Sequence, residues 1–417
     1  MDIFVYVDWR GLNGPMMMGT LNVTRTKGHG VFSFEYNKEW IKQGRAQGLD
    51  PDLQLYSGPQ YLGKDKPNFG VFMDSSPDRW GKELMRRREA ILARQQERKP
   101  KALFEEDFLL GVYDLHRMGG LRFKIADNDN FQHDDRGMAA PPWTSLRELE
   151  HASQEFENDL LQDQQALQWI NMLIAPGASL GGARPKASIT DEQGHLWIAK
   201  FPSIKDTTNV GAWEMLVADL ALENNINVAH GIVKKFNNKY NTFLSKRFDR
   251  TEGGRRIHFA SAMTLLGRTD GADATTGASY MDLVQFIMEK GAMPNADLEQ
   301  LWRRIVFSIA IKNTDDHLRN HGFLLTDSGW RLSPAYDINP TYFGTGLSLN
   351  ISEDDNSLDF ELALSVAEYF RLSRSKAEGI LMQIKKTVSR WQTLADKYKI
   401  PRQEQEQMSL AFELAMV

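Results

Sequence analysis

The sequence predicts an α+β protein, and three stretches carry that prediction. Residues 1–36 alternate apolar and polar positions between glycine-marked turns. The block from Ile174 to Arg250 reads as a loop, a strand, a helix and a hairpin, and from Ile257 onward apolar residues recur mainly at helical spacing.

In the first stretch, Phe4, Tyr6, Leu21, Val23, Val31, Phe32 and Phe34 are broken by Gly11, Gly14, Gly19, Gly28 and Gly30, which implies short strands joined by turns. Ser75-Ser76-Pro77 then opens a helix through Leu84, Arg88, Ile91 and Leu92 toward Pro100, with a second helix around Phe104 to Tyr113. Between Arg79 and Lys101, nine basic residues face three acidic ones, as a solvated helix face or as a phosphate-binding patch. The polar run Ala126 to Trp143 ends in Ala139-Ala140-Pro141-Pro142 and marks a linker, beyond which Ser145 to Asp163 is helical and acidic. Three domains follow: 1–140, a β-plus-helix module; 141–250, a small mixed domain; and 251–417, a helical domain.

Composition narrows the classes of function. At 417 residues, with 41% apolar and 25% charged residues, the chain has the makings of several packed globular cores. It contains no cysteine, which excludes disulfides and thiolate metal sites and is compatible with a reducing cytoplasm. The first residues read as a strand rather than a signal peptide, and no apolar run is long enough for a membrane span. A net charge of −5 gives no global attraction to nucleic acid.

The middle block holds the first chemical candidates. Pro176 to Lys186 is glycine-rich and closes on Arg184 and Lys186; it is a turn, or a loop whose bare backbone approaches phosphate, but it lacks the Walker spacing. His195 to Pro202 alternates as a strand and places Leu196, Ile198 and Lys200 on one face, so that Lys200 either reaches water or meets an anion. The helix Gly211 to Asn225 has an apolar stripe of Trp213, Leu216, Val217, Leu220 and Ala221, with Glu214 on its shoulder, turned inward or left on the surface. Residues 231–236 and 240–248 flank the turn Asn237-Asn238-Lys239 as a hairpin.

Further on, Asp297 is positioned to cap a helix carrying Leu298, Leu301, Ile305 and Ile309. That helix leads to a polar turn with Asp315 and Asn320 five positions apart, then strands at 322–325 and 330–336 and a second acid, Asp337. Phosphoryl transfer needs such a set, because one carboxylate accepts the nucleophile's proton while an amide oxygen and another acid hold magnesium on the triphosphate. The D-x-x-x-x-N spacing also matches a protein-kinase catalytic loop, although Asp and Asn equally serve ordinary turns. Three further helices, 358–366, 377–398 and 403–416, complete the chain.

Taken in order, several pieces resemble one family, the HipA-like serine/threonine kinases, toxins of bacterial type II toxin–antitoxin systems. They are Asp114-Leu115-His116-Arg117-Met118-Gly119-Gly120-Leu121-Arg122-Phe123, the Ser179 to Lys186 loop, Ile198-Ala199-Lys200-Phe201-Pro202, Arg247-Phe248-Asp249-Arg250, Thr314-Asp315-Asp316-His317 through Asn320, and Tyr336-Asp337. The resemblance implies a two-lobed kinase-like fold of the phosphatidylinositol-kinase-like branch, with a β-rich N-terminal module and an all-helical C-terminal lobe. It implies an ATP- and magnesium-dependent serine/threonine protein kinase that inhibits growth by acting on a translation component such as an aminoacyl-tRNA synthetase.

By motif position, Asp315 would be the catalytic base, and Asn320 and Asp337 the Mg2+ ligands. Lys200 would hold the phosphates, covered by Gly181, Gly182, Ala183, Arg184 and Lys186, with Lys246 and Phe248 at the adenine hinge and Glu214 as the acid that pairs the lysine. Ser179 falls at the family's autophosphorylation position, where a phosphate would add about −1.5 to −2 charge to the loop. The implied partners are a protein substrate and a small helix-turn-helix antitoxin in the cytoplasm, with DNA met only through the antitoxin. Two positions depart from the family pattern: Lys246 stands where an acid is common, and Arg256-Ile257-His258-Phe259-Ala260-Ser261 lacks the Gln-Glu-Asp that commonly follows the histidine. Two other functions fit parts of the pattern: a DNA-linked regulator acting with the antitoxin, and a small-molecule kinase, because fold does not decide substrate.

Overall fold

The structure, a computed structural model, describes residues 1–417 except 27–28, 44–47, 64–65, 127–129, 133–140, 159–166, 168, 172, 174–181, 183, 237 and 417. Of the candidate residues, Ser179, Gly181 and Ala183 lie outside the described set. The chain forms two compact units, Met1–Ile204 with Lys246–Ala260, and Lys205–Ser245 with Ser261–Val417.

In the first unit, β1 (Asp2–Val7), β2 (Met16–Thr26), β3 (His29–Tyr36), β4 (Pro59–Tyr61) and β5 (Leu121–Lys124) make an antiparallel sheet ordered β4-β3-β2-β1-β5. Alternation sends Ile3, Val5 and Val7 into the core, and Leu21 and Phe34, buried cross-strand partners, join them. Gly19 is required in β2 beside the extra residue Met18, which bulges opposite Val5 and Tyr6, since a Cβ at Gly19 would lie 2.3 Å from Glu35 O.

Helices α1 (Lys38–Lys42), α2 (Gly70–Met73), α3 (Arg79–Gln95), α4 (Glu105–Leu110) and α5 (Leu146–Glu157) belong to this unit. The cap of α3 is Asp78, whose carboxylate accepts from Gly81 N at 2.9 Å; Ser75 and Ser76 instead donate back to carbonyls of the preceding turn. Strand β6 (Lys186–Thr190) pairs with β7 (Leu196–Lys200) and places Lys186 directly opposite Lys200. Sequence patterning missed β6 because Lys-Ala-Ser-Ile-Thr is buried on both faces and shows no alternation.

The second unit contains α6 (Val210–Glu223), whose whole expected stripe is buried, and, up to Ser245, the β8 (Gly231–Lys234) to β9 (Thr242–Lys246) hairpin. A short extended segment, β10 (Phe259–Ser261), precedes α7 (Ala262–Leu265), α8 (Tyr280–Lys290) and α9 (Pro294–Ala310). The β11 (Gly322–Thr326) to β12 (Gly329–Leu332) hairpin is followed by α10 (Phe360–Ser365), α11 (Arg374–Val388), α12 (Trp391–Lys397) and α13 (Arg402–Met408).

Three expectations are corrected. Helix α9 begins at Pro294, so Asp297 lies inside its first turn and accepts from Arg331 Nε (2.9 Å) and Leu332 N (3.2 Å), fastening α9 to β12. The helix expected over 377–398 is two, broken between Val388 and Trp391, and Trp391 stacks on Phe412 at 4.6 Å in the core. Strand β12 stops at Leu332, so Asp337 lies in the irregular segment beyond it. Among the described residues no helix is long and apolar enough to cross a membrane.

Candidate functional site

Helix α9 is buried along most of its length and delivers the polar turn from the core of the second unit. Lys312 takes a left-handed conformation (φ 47) and ends the helix, while Asn313 N returns to Ser308 O at 2.8 Å. The turn closes on itself: His317 N donates to Asp315 O (3.0 Å), Asn320 N to His317 O (2.8 Å), and the Asn320 side-chain amide to Asp315 O (2.8 Å). Ala262 N braces it through His321 O at 2.8 Å.

The two adjacent acids point in different directions. Asp316 is buried, with Tyr280 OH 2.5 Å and His321 Nε2 3.1 Å from its oxygens. Burial opposes its ionisation, yet His321 and the Tyr280 hydroxyl outweigh burial and hold the carboxyl below its usual range. Asp315 is exposed, and among the described residues nothing donates a hydrogen bond to its carboxylate. Crowding by protein raises its pKa; His317 opposes that rise, and Asp337 and Asp316 add to it.

Asp337 joins the same electrostatic cluster from a left-handed backbone position (φ 58). Its neighbour Tyr336 donates to Arg319 O at 2.7 Å, tying the Asp337 segment to the residue before Asn320. Asn339, which sequence reasoning missed, directs its amide to Asp337 Oδ1 at 3.4 Å; the only signal for it is the D-x-N spacing. Thr341 also donates to Lys312 O, and its hydroxyl lies 3.1 Å from that of Thr314, clamping the later segment to the turn.

These residues fit a magnesium ion. The Asn320 amide spends its N–H on the turn and leaves a buried Oδ1 without a donor, while a raised carboxyl beside a second acid favours a cation. Among the described residues no group of three or more His, Asp or Glu side chains is arranged to hold a metal alone. Magnesium commonly takes only one or two carboxylates and completes its shell with phosphate and water.

The other candidates lie mostly in the first unit. Lys200, half-buried, ends β7. Lys186 is sealed in, with Nζ 2.6 Å from Asp78 Oδ2, while Gly182 is exposed and Arg184 half-buried. Lys246 pairs with Glu252 at 3.0 Å, and Phe248 packs against Phe259 at 6.0 Å. Glu214, in the second unit, is turned inward and buried.

Two of the recognised motifs meet inside the first unit. Asp249 is fully buried and accepts from Arg247 Nε (2.7 Å) and Nη2 (2.6 Å), Arg250 Nη1 (2.5 Å) and Gly119 N (2.8 Å). Arg247 and Arg250 also donate to the carbonyls of His116, Leu115 and Arg117. Asp114 takes Arg122 and Arg256 in the same way. Burial lowers Arg250 and Arg117 to about 9, against the pull of Asp249 on the first and Asp114 on the second. His258, in the segment that departs from the family pattern, stacks on Trp9 at 4.9 Å, and burial pushes its pKa down to about 3.

Comparison with known proteins agrees with this architecture. A Haemophilus influenzae protein, provisionally named a kinase, is 26% identical over 180 residues, covering 39% of this chain and 52% of its own length, so the chain spans about half of that curated relative. The HipA, HipB and operator DNA complex of the Shewanella oneidensis MR-1 toxin–antitoxin system contains a chain that overlays with a TM-score of 0.66 at 17% identity, over 99% of this chain and 95% of that one. That likeness establishes the mixed α/β fold. The HipA-like C-terminal domain family matches residues 178–391, just over half of the sequence, and the chain belongs to the HipA-like family.

Proposed function

We propose that the protein is an ATP- and magnesium-dependent serine/threonine kinase acting as a growth-inhibiting toxin. The observation that carries this reading is the set in the second unit: the exposed, proton-avid Asp315, the donorless Asn320 Oδ1 and the neighbouring charge of Asp337. In this reading the fold is the two-lobed, phosphatidylinositol-kinase-like arrangement, divided into the domains 1–140, 141–250 and 251–417.

Asp315 takes the proton of a substrate hydroxyl as that oxygen attacks the γ-phosphorus of ATP and the bond to the bridging oxygen breaks, releasing ADP. A raised carboxyl is a stronger base, which suits the task. Asn320 Oδ1 and Asp337 hold magnesium, which supplies charge neutralisation on the phosphates when bound. The hydrogen bond from Asn320 to Asp315 O keeps base and ligand in one frame. Lys200 steadies the phosphates, Lys246 and Phe248 flank the adenine, and Ser179 is the autophosphorylation site. The substrate is a protein of the translation apparatus.

A partner role accompanies the activity. The Shewanella relative is seen with HipB and operator DNA, and the corresponding partner here is a small helix-turn-helix antitoxin. The decisive assay incubates the chain with labelled ATP, magnesium and candidate protein substrates. Wild type incorporates phosphate and Asp315→Asn does not; equal incorporation by the two removes Asp315 as the base. Transfer to metabolites instead of proteins would shift the reading to a small-molecule kinase.

A further inference from the structure

Lys186 begins β6 at the root of the glycine-rich segment, and its surroundings are unlike those of a waiting phosphate ligand. Its Nζ lies 2.6 Å from Asp78 Oδ2, with the two side chains only 3% and 2% exposed. The other oxygen of Asp78 caps α3 through Gly81 N, and Trp80 Nε1 donates to Lys186 O at 3.2 Å. The same Nζ reaches Gly182 O at 3.4 Å, where the backbone is left-handed (φ 96). The first residues of α3 therefore hold both the ammonium and the carbonyl of Lys186, and the ammonium in turn holds Gly182.

Charge reinforces the geometry. An ammonium already neutralised by a carboxylate within hydrogen-bond distance and closed to solvent exerts little attraction on an incoming triphosphate. Lys186 also sits directly across β6–β7 from Lys200, and two like charges facing each other across a ladder are unfavourable unless one is neutralised. Asp78 neutralises Lys186, so the two facing lysines do not oppose one another as bare charges.

We propose that Lys186 is a positioning residue, by which Asp78 at the start of α3 holds Gly182 and strand β6, while phosphate binding falls to other groups. This rests on the kinase reading and deepens it: the β-rich N-terminal part of the chain becomes a support for nucleotide binding.

The test uses the full chain, a fluorescent non-hydrolysable ATP analogue with magnesium, and thermal melting. Lys186→Met and Asp78→Leu each strand a buried charge, so each lowers the melting temperature and weakens nucleotide affinity several-fold. The double variant replaces the pair by apolar groups and recovers the affinity and most of the melting temperature, short of the α3 cap that Asp78 also supplies. Lys200→Met weakens affinity while the melting temperature holds. A double variant that regains its melting temperature without regaining affinity makes Lys186 a phosphate ligand and overturns the proposal. Should the double variant not fold, amine labelling of wild type decides: an anchoring Lys186 is unreactive with or without nucleotide, whereas a ligand reacts in the free chain and is protected by the analogue. Wild type that binds no nucleotide overturns the kinase reading and this proposal together; failure of the double variant beside a binding wild type overturns this proposal alone.

Discussion

Asp249 in the first unit and Asp315 in the second both sit in short charged motifs, and their surroundings differ in every respect that governs a carboxylate. Asp249 is sealed from solvent, with two guanidinium groups and a backbone N–H on its oxygens; burial penalises its charge, but Arg247 and Arg250 hold its pKa far below the usual range. Asp315 is open to solvent, faces the charges of Asp337 and Asp316, and is raised. On the function proposed above, the pair contrasts a charge used for architecture with one held for chemistry: the fold stabilises the ionised form of Asp249 and resists that of Asp315. Motif matching treats both as signatures of the same family and does not separate them.

The largest expected effect breaks the architectural side. Asp249→Asn leaves two buried arginines without their counter-charge and should cost about 3–5 kcal/mol in chemical unfolding. Because the folded pKa is depressed, the contribution is complete above the ordinary carboxylate range and is lost as pH falls through that range toward the folded value. The variant should therefore lack that part of the acid dependence of stability. A loss below about 1 kcal/mol would erase the contrast with an ordinary substitution.

Asp315→Asn should do the reverse. Phosphoryl transfer falls by roughly 10²–10⁴, the usual span for a general base, while the melting temperature at neutral pH stays level or rises. Its folded pKa is raised, so the native state binds the proton more tightly than the unfolded chain, and ionisation at higher pH costs stability; asparagine removes that cost. In wild type the activity should climb as pH rises through the raised value, because only the ionised base accepts a proton. A variant that loses stability as well as activity would place Asp315 with the architectural acids.

Asp316→Asn falls between the two. The amide still accepts from Tyr280, but the attraction to His321 disappears, which should cost about 1–2 kcal/mol of stability. Activity should fall less than in Asp315→Asn, since the turn keeps its backbone bonds. Equal loss of activity in the two variants would mean that spacing to Asn320 does not select the base.

Much of this was legible in the sequence where a local rule coincided with the tertiary outcome. The stripe of α6 and the 231–248 hairpin followed from periodicity and turn chemistry, and the shared turn of Asp315 and Asn320 followed from the polar run that carries them. The rest depended on contacts distant in the chain. Asp297 resembles a cap until Arg331 and Leu332, more than thirty residues away, claim its oxygens. Lys186 belongs to a basic loop by sequence, yet Asp78, 108 residues earlier, encloses it. Glu214 sat on the shoulder of its helix, and periodicity left its direction open until packing on both flanks turned it inward.

The smallest effect concerns charges that are neither sealed nor focused. On α3 and just beyond it, Arg94, Lys99 and Lys101 are exposed, and the Arg86–Glu83 pair at 3.3 Å is more than half exposed on both sides. Exposed pairs contribute little because water screens them and their side chains lose entropy on pairing. Changing Arg94, Lys99 and Lys101 to glutamate together should leave the melting temperature and kinase activity unchanged. The same triple variant examines the regulatory alternative. If this face meets phosphates when an antitoxin carries the complex to DNA, reversal weakens association and flattens its dependence on salt, because fewer counterions are released. If affinity and salt slope both hold, the basic helix is a solvated face, and charge in this chain matters where burial or crowding concentrates it.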